Sequence, residues 1–535
     1  MQQDFDVLVI GGSLAGSAAA ILLHRQEPGL RIGIIEKSAH FPRRVGEATV
    51  EISGYFLSRV LGLTAFLNET QLTKQGMRFW FQNPHVAALD QCSEIGGRYL
   101  ARVPSWQVDR STLDEELLRR AVDAGITLFR PAKALRTRLH PGALQEIDIE
   151  SDAGPTTLRA RWVIDASGFT CLLARQLGLL QRNSAHPTTA CWARWRGVAD
   201  WDGLDLTHRF PEWGSVCHGI RNTATNHVVG DGWWAWFIPL KGGDTSVGVV
   251  FDQRRVQWPD TPEPLGTRLR DFLCRHPAAR EILRNAQPID GDVKWRANLA
   301  YFPSSHAGDG WVLAGDAAGF IDPFYSPGMD WLSYTTTRAV DLVVRAHRGE
   351  AVQPLVVAHN TDFTLSYRRW FEAIYQDKYD WMGDFDLMAI GFKLDLGLYY
   401  MGVVSQPLRD GPTALLNPVF SLPPSNLPFH LMRTYNRRLA AMGRERRQRG
   451  VFGKNNDRHR HFLNGYVPDN STGKAMLGAV GDWLRLELRE GWRSWFTSPA
   501  LPALNPLSRT ENPPGSPATV PVPPPQSLPG SVPRS

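Results

Sequence analysis

With 535 residues the chain has room for two or three domains sharing an interface, and 43% hydrophobic with 21% charged residues is the make-up of a soluble globular enzyme. The net charge of +6 owes much to the arginine-rich piece 437–461; basic helices are ordinarily solvated surface, which argues against nucleic-acid binding and leaves an acidic carrier protein or a membrane surface as partners for that piece. Five scattered cysteines show no CxxC and no metal spacing, so the expectation is a reducing cytoplasm, no structural disulfide and no metal site.

The N-terminus enters an apolar strand almost at once, so no signal peptide is expected. No apolar run is expected to span a bilayer. Asp6–Ile10 reads as a buried parallel strand. Gly11-Gly12-Ser13-Leu14-Ala15-Gly16 follows, then a small-residue helix and a second strand, Arg31–Ile35, ending at Glu36. The acid stands 20 positions after Gly16, as in a dinucleotide-binding βαβ unit. Gly11 permits the turn, Gly16 lets helix and strand approach, and Glu36 suits ribose hydroxyls. Ser13 replaces the middle glycine.

Arg43 and Arg44 before Gly46 suit phosphate or a flavin edge, or form a solvated loop. Leu72–Phe81 starts a strand that carries Lys74 into an aromatic run. Gln107–Gly125 has a capping Asp109 or Ser111, helical apolar spacing and a closing glycine, with Arg110 near its start. Arg161–Gly168 is a strand ending in Asp165.

From about Cys191 to Asn298, short aromatic and β-branched runs predict a mostly antiparallel sheet. It carries Trp234 and Trp236. The 19 tryptophans are either core or the lining of a pocket for a flat substrate. Trp311–Met329 returns to the nucleotide domain: an apolar strand, then Gly315-Asp316, where the carboxylate suits a ribose or ribityl group. Ser326-Pro327-Gly328-Met329 brings free N–H groups to a helix start, a natural anion site. Beyond Thr335 the chain reads as helical to Phe496. The Pro-, Ser- and Gly-rich tail from Thr497 is expected to be disordered.

GGSLAG with Glu36, Val108-Asp109-Arg110, Asp165–Gly168 and Gly315–Pro323 together resemble FAD-dependent aromatic monooxygenases. Within them, Trp234-x-Trp236-x-Ile238-Pro239, Lys74 and Val45–Thr49 resemble the flavin-dependent halogenases. The resemblance covers roughly the first 340 residues. It implies an α/β fold: a doubly wound, Rossmann-like FAD domain (1–190, with a strand excursion near 70–105, and 299–340), an inserted antiparallel sheet (191–298), a helical region (341–496) and the tail (497–535). FAD would be held by Gly11, Gly12, Ser13, Ala15, Gly16, Glu36, Lys37, Arg44, Glu47, Ala48, Arg110 and Asp316, and reduced by a separate flavin reductase.

The family's chemistry is to oxidise halide beside the reduced flavin and pass it, through a lysine, to an electron-rich ring. Here that implies halide, chloride or bromide, on the backbone of Gly328 and Met329, transfer by Lys74, and a flavin wall of Trp234 and Trp236. Two departures stand out. Tyr325 replaces the glutamate that tryptophan halogenases carry before this turn, which favours a self-activating phenol or pyrrole, free or tethered to a carrier protein. Pro327 removes one N–H donor. The alternative is an FAD monooxygenase or oxidoreductase of the same fold that ignores halide.

Overall fold

The computed structural model describes residues 4–217, 220–464, 467 and 469–496; the tail from Thr497 lies outside them. In chain order, Asp4–Ile10 (β1), Leu14–Gln26 (α1) and Ile32–Ile35 (β2) form the first strand–helix–strand unit. Met77–Phe81 (β3), Ser93–Gly97 (β4), Arg110–Asp123 (α2), Thr127–Phe129 (β5) and Gly154–Asp165 (β6) follow. Thr188–Arg196 (β7), Thr225–Gly230 (β8), Trp233–Pro239 (β9) and Thr245–Asp252 (β10) come next, then Trp311–Leu313 (β11). The remainder is built on Gly328–His347 (α3), Val352–Trp370 (α4), Phe385–Tyr399 (α5), Asn426–Gln448 (α6), Arg460–Leu463 (β12) and Asn470–Arg489 (α7).

Two sheets organise these elements. The first is parallel through β11, β6, β1, β2 and β5, in that spatial order. Its strands are apolar runs because helices cover them, and residues Val7–Ile10 are all buried. The loops at the carboxyl ends of β1, β2, β6 and β11 converge, the usual ligand position in open α/β sheets.

The second sheet runs β7–β10–β9–β8–β3–β4–β12. It is mixed: β8 pairs parallel with β3, and β12 pairs parallel with β4. The strand excursion near 70–105 thus joins the sheet expected of 191–298, and one strand from the otherwise helical C-terminal region completes it. In β9, Trp233, Ala235 and Phe237 enter a tryptophan-rich core with Trp80, Trp195 and Trp201, while Trp234, Trp236 and Ile238 face the other way.

Two expectations change. Most of the arginines of α6 are not solvated surface, Arg437 being the exposed exception. Arg446 pairs with Asp384 and Glu490 at 2.6 Å, Arg447 with Asp231 at 2.7 Å, and Arg438 with Glu487 at 2.8 Å. They hold the helical region to itself and to the turn before β9. Among the described residues, Phe385–Leu416 is long and apolar enough, by length and composition alone, to qualify as a membrane span. Half of its best window is buried inside the protein, and its buried Asp395 accepts Lys378 at 2.6 Å, so it packs here as a core helix.

Candidate active site

A cavity of about 610 Å³ opens between the two sheets. The fingerprint turn forms one end. Gly11 has φ +99°, and a Cβ there would stand 2.5 Å from the Ala166 carbonyl. A Cβ at Gly16 would stand 1.8 Å from the Gly11 carbonyl, so only glycine lets α1 start against the turn. The Ser13 side chain makes no capping bond, leaving the first-turn N–H groups of α1 open toward the cavity. Glu36 ends β2 with its carboxylate oriented by two amides, Gly12 N–H and Ser38 N–H, both at 2.8 Å.

A strap crosses the cavity. Glu47 and Thr49 pair with Val108 and Trp106 through N–H···O bonds of 2.7 and 2.9 Å. This stitches Val45–Ala48 to the segment that leads into α2. Asp109 caps α2 by accepting Ser111 N–H. Arg110 then reaches back, held by Asp114 at 3.1 and 3.2 Å, with Arg44 at 3.7 Å from the same carboxylate. Opposite them stands Asp316, in the first turn of a short 3-10 helix, Gly315–Ala318, that follows β11. Burial pushes its carboxyl up to about 6, against the charges of Arg110, Arg296 and Arg44.

Gly328 and Met329 also line the cavity, at the first turn of α3. The first helical bond there is Trp331 N–H to Pro327 O, so the amides before it have no intrahelical partner. The loop before it is unusual: Tyr325 and Ser326 both adopt left-handed φ, +68° and +59°. Trp234 and Trp236 form the far wall, their rings 5.8 Å apart. Each indole N–H is turned aside, to Tyr379 OH at 2.9 Å and Ser246 Oγ at 3.1 Å.

The structure brings Gly11, Ser13, Ala15, Glu36, Lys37, Arg44, Glu47, Ala48, Arg110, Trp234, Trp236, Asp316, Gly328 and Met329 to this one cavity. Gly12 and Gly16 shape the turn from behind. The Glu47 side chain points away, to Arg194 at 2.6 Å, and burial still pushes it up to about 7. Lys74 does not line the cavity. It is 2% exposed, and its Nζ donates to the Thr49 carbonyl at 2.7 Å, just behind the cavity-lining Ala48. Burial pulls its ammonium down to about 8, opposed by the nearby charges of Glu51 and Asp330.

Sequence reasoning missed Thr225, His227 and Arg296, which also line the cavity. The β8 segment TNHVVG is buried on both faces and gives no alternation to read. Arg296 lies over the Phe169 ring at 3.7 Å, a contact invisible in sequence. Among the described residues, no group of three or more His, Cys, Asp or Glu is placed to hold a metal.

An FAD-binding domain model matches residues 4–331, more than half of the chain. The chain belongs to that family and is an FAD-dependent oxidoreductase, and the relatives it is similar to are flavin-dependent halogenases. Among its relatives, the flavin-dependent halogenase armH3 of Armillaria mellea is 27% identical over 389 residues, covering 68% of this chain and 72% of the relative. A 1H-pyrrole-2-carbonyl-[peptidyl-carrier protein] brominase of Pseudoalteromonas luteoviolacea (strain 2ta16) is 26% identical, covering 65% of this chain and 79% of the relative. The solved halogenase PltM shares the fold at a TM-score of 0.70 and 18% identity, over 90% of this chain and 97% of PltM.

The turn and strap fit FAD. The glycine cradle has space only while it lacks Cβ atoms, α1 presents open amides, and Glu36 and Asp316 supply acceptors at the ends of β2 and β11.

Proposed function

We propose that this enzyme halogenates an electron-rich aromatic, phenol- or pyrrole-like, in secondary metabolism, with Lys74 as the residue that passes the halogen. The observation that carries the reading is a buried amine with a neutral partner. Lys74 sits in the protein interior bonded to a carbonyl rather than a carboxylate, on the strap that borders the flavin cavity.

FAD, reduced by a separate flavin reductase, would supply with O2 the two-electron oxidation of halide to hypohalous acid. Glu36 would accept the adenosine ribose hydroxyls, the α1 N-terminus the pyrophosphate, and Asp316 the ribityl side. The amides of Gly328 and Met329 would hold the halide, because a helix start favours an anion. Trp234 and Trp236 keep the organic substrate off the flavin. Lys74, with its ammonium drawn down to about 8, exchanges its proton near neutral pH and engages hypohalous acid as nucleophile or donor. In the transfer, the carbon–halogen bond forms as the halogen–oxygen bond breaks, and the ring proton leaves with hydroxide as water.

Two similarities support the substrate class. PltM has been solved with phloroglucinol and FAD, and the brominase above is named for a carrier-bound pyrrole. A second reading, hydroxylation without halide, is favoured by Pro327, which leaves one fewer amide at the anion site. The test supplies reduced FAD, O2 and mixed halides over an aromatic panel, following flavin reoxidation and product masses together. The wild type should give halogenated product; Lys74→Ala should keep flavin binding and oxygen use but lose that product, and Lys74→Arg should not restore it. Near wild-type halogenation by Lys74→Ala overturns the lysine assignment. Hydroxylated product indifferent to halide replaces the first reading with the second.

A further inference from the structure

Sulfur is placed unevenly around the flavin cavity. Among the described residues, no cysteine lines it. Cys171 comes nearest in sequence, between the lining residues Thr170 and Leu172. It is fully buried, with its thiol turned to the carbonyls of Gly168 at 3.4 Å and Asp316 at 3.9 Å. Burial pushes that thiol up to about 11, which keeps it in the protonated, unreactive form. Of the methionines among the described residues, Met329 alone lines the cavity. It is 5% exposed and belongs to the apolar cluster that includes Trp234, Trp236, Phe324 and Leu332.

Met329 also stands in the first turn of α3, where its backbone N–H precedes the first helical bond and is open to an anion. The thioether and that amide belong to one residue. Oxidant formed from halide held there therefore meets the sulfur within a side chain's length. A thioether is soft and polarisable, and its lone pair reacts without disturbing an aromatic ring. The indoles of Trp192, Trp234 and Trp236, which line the same cavity, lack that advantage.

Resting on the halogenase reading, we propose that Met329 is an oxidation site for the enzyme's own hypohalous acid, converted to the sulfoxide when no aromatic substrate takes the halogen. The sulfur lone pair bonds to the halogen as the halogen–oxygen bond breaks and hydroxide leaves. Water then adds to sulfur, and halide departs with two protons, one of which neutralises the hydroxide. Sulfur loses two electrons and the halogen gains them, so thioether and hypohalous acid give sulfoxide, halide and one proton. The new oxygen is partly negative and competes with halide for the amides of the anion turn. Turnover without substrate thus closes the site that sustains it.

The test runs the flavin-loaded enzyme with reduced FAD, O2 and catalase, with and without bromide, and without an aromatic. Excess free methionine in solution scavenges any oxidant that escapes. Peptide mass mapping then finds which methionines have gained one oxygen atom. Met401, 40% exposed, is the internal reference. With bromide, Met329 should be oxidised at least about tenfold faster than Met401, against the order that exposure sets. An aromatic that the enzyme halogenates should slow this. Met329→Leu should keep a larger share of its own starting rate than the wild type after substrate-free turnover. Oxidation of Met401 as fast as Met329, equal oxidation of Met329 without bromide, or equal loss of rate in Met329→Leu overturns the site. Halogenated aromatic made by an enzyme whose Met329 stays unmodified in substrate-free turnover overturns it too, while the halogenase reading stands. Neither halogenated aromatic nor bromide-dependent sulfoxide overturns the reading, and the site with it.

Discussion

Two lysines are buried in this protein, and their surroundings differ in kind. Lys378, in the helical region, donates to Asp395 at 2.6 Å and lies over the Trp381 ring at 4.1 Å. The same carboxylate takes Tyr435 OH at 2.6 Å, Tyr325 OH at 3.2 Å and the Asn436 amide at 3.3 Å. That is a closed network, with charge matched and donors spent on one acceptor. Lys74 has a carbonyl and two carboxylates at a distance. Burial alone therefore does not mark a functional lysine. What separates the two is the partner. Lys378 meets a carboxylate directly, whereas the carboxylates near Lys74 are taken by Tyr400 OH and by Ser53 N–H with Tyr399 OH, which leaves its ammonium on the Thr49 carbonyl.

The largest effect should come from opening the closed site. Asp395→Ala leaves an ammonium and two phenols without their acceptor and should cost about 3–5 kcal/mol of stability. The double change Lys378→Met with Asp395→Leu should cost less than Asp395→Ala alone, as read from urea midpoints at constant slope. A single-variant loss under about 1 kcal/mol would mean that the network is incidental.

The open site should answer to pH instead. Lys74 titrates near 8 when folded against 10.5 ordinarily. Between those values the unfolded chain binds more protons, so this group makes stability rise with pH there. Set against Lys74→Met, the wild type should gain up to about 3 kcal/mol across that window. Parallel pH profiles would remove the depressed lysine from the picture.

A smaller effect is expected at the cradle. Gly16→Ala drives a methyl into the Gly11 carbonyl, and flavin affinity should fall at least about tenfold by fluorescence titration, roughly 1.4 kcal/mol. Unchanged affinity would refute the turn as the cofactor's seat. The smallest effect belongs to the left-handed Ser326. Ser326→Gly relieves its backbone and should raise stability by about 0.5–1 kcal/mol, seen as a rise of about 1 °C or less in Tm. A fall would show that the Ser326 side chain matters more than its φ.

Sequence alone carried the flavin half well, because its signals are local. The Gly11–Gly16 turn, Glu36 and the Asp109 cap all act within a few residues of where they are written, and Trp234 and Trp236 share a face by simple alternation. What stayed hidden depends on distant partners. The membership of β3, β4 and β12 in one sheet is set by pairings across hundreds of residues. The arginines of α6 look solvated until Asp231, Asp384 and Glu490 arrive from elsewhere. Thr225 and His227 sit in a strand buried on both faces, where no period betrays which side meets the cavity.

Strand β12 has a consequence for how the protein is made. Arg460–Leu463 covers the outer edge of β4, and Glu94 and Arg98 donate their amides to His459 O and Leu463 O. A ribosome releases residues 93–97 several hundred positions before their cover is translated. During that interval the edge offers unspent amides and carbonyls to any extended chain nearby, including other nascent copies. The yield of properly assembled enzyme should thus depend on how fast synthesis runs from β4 to β12, and on chaperones that shield the edge meanwhile.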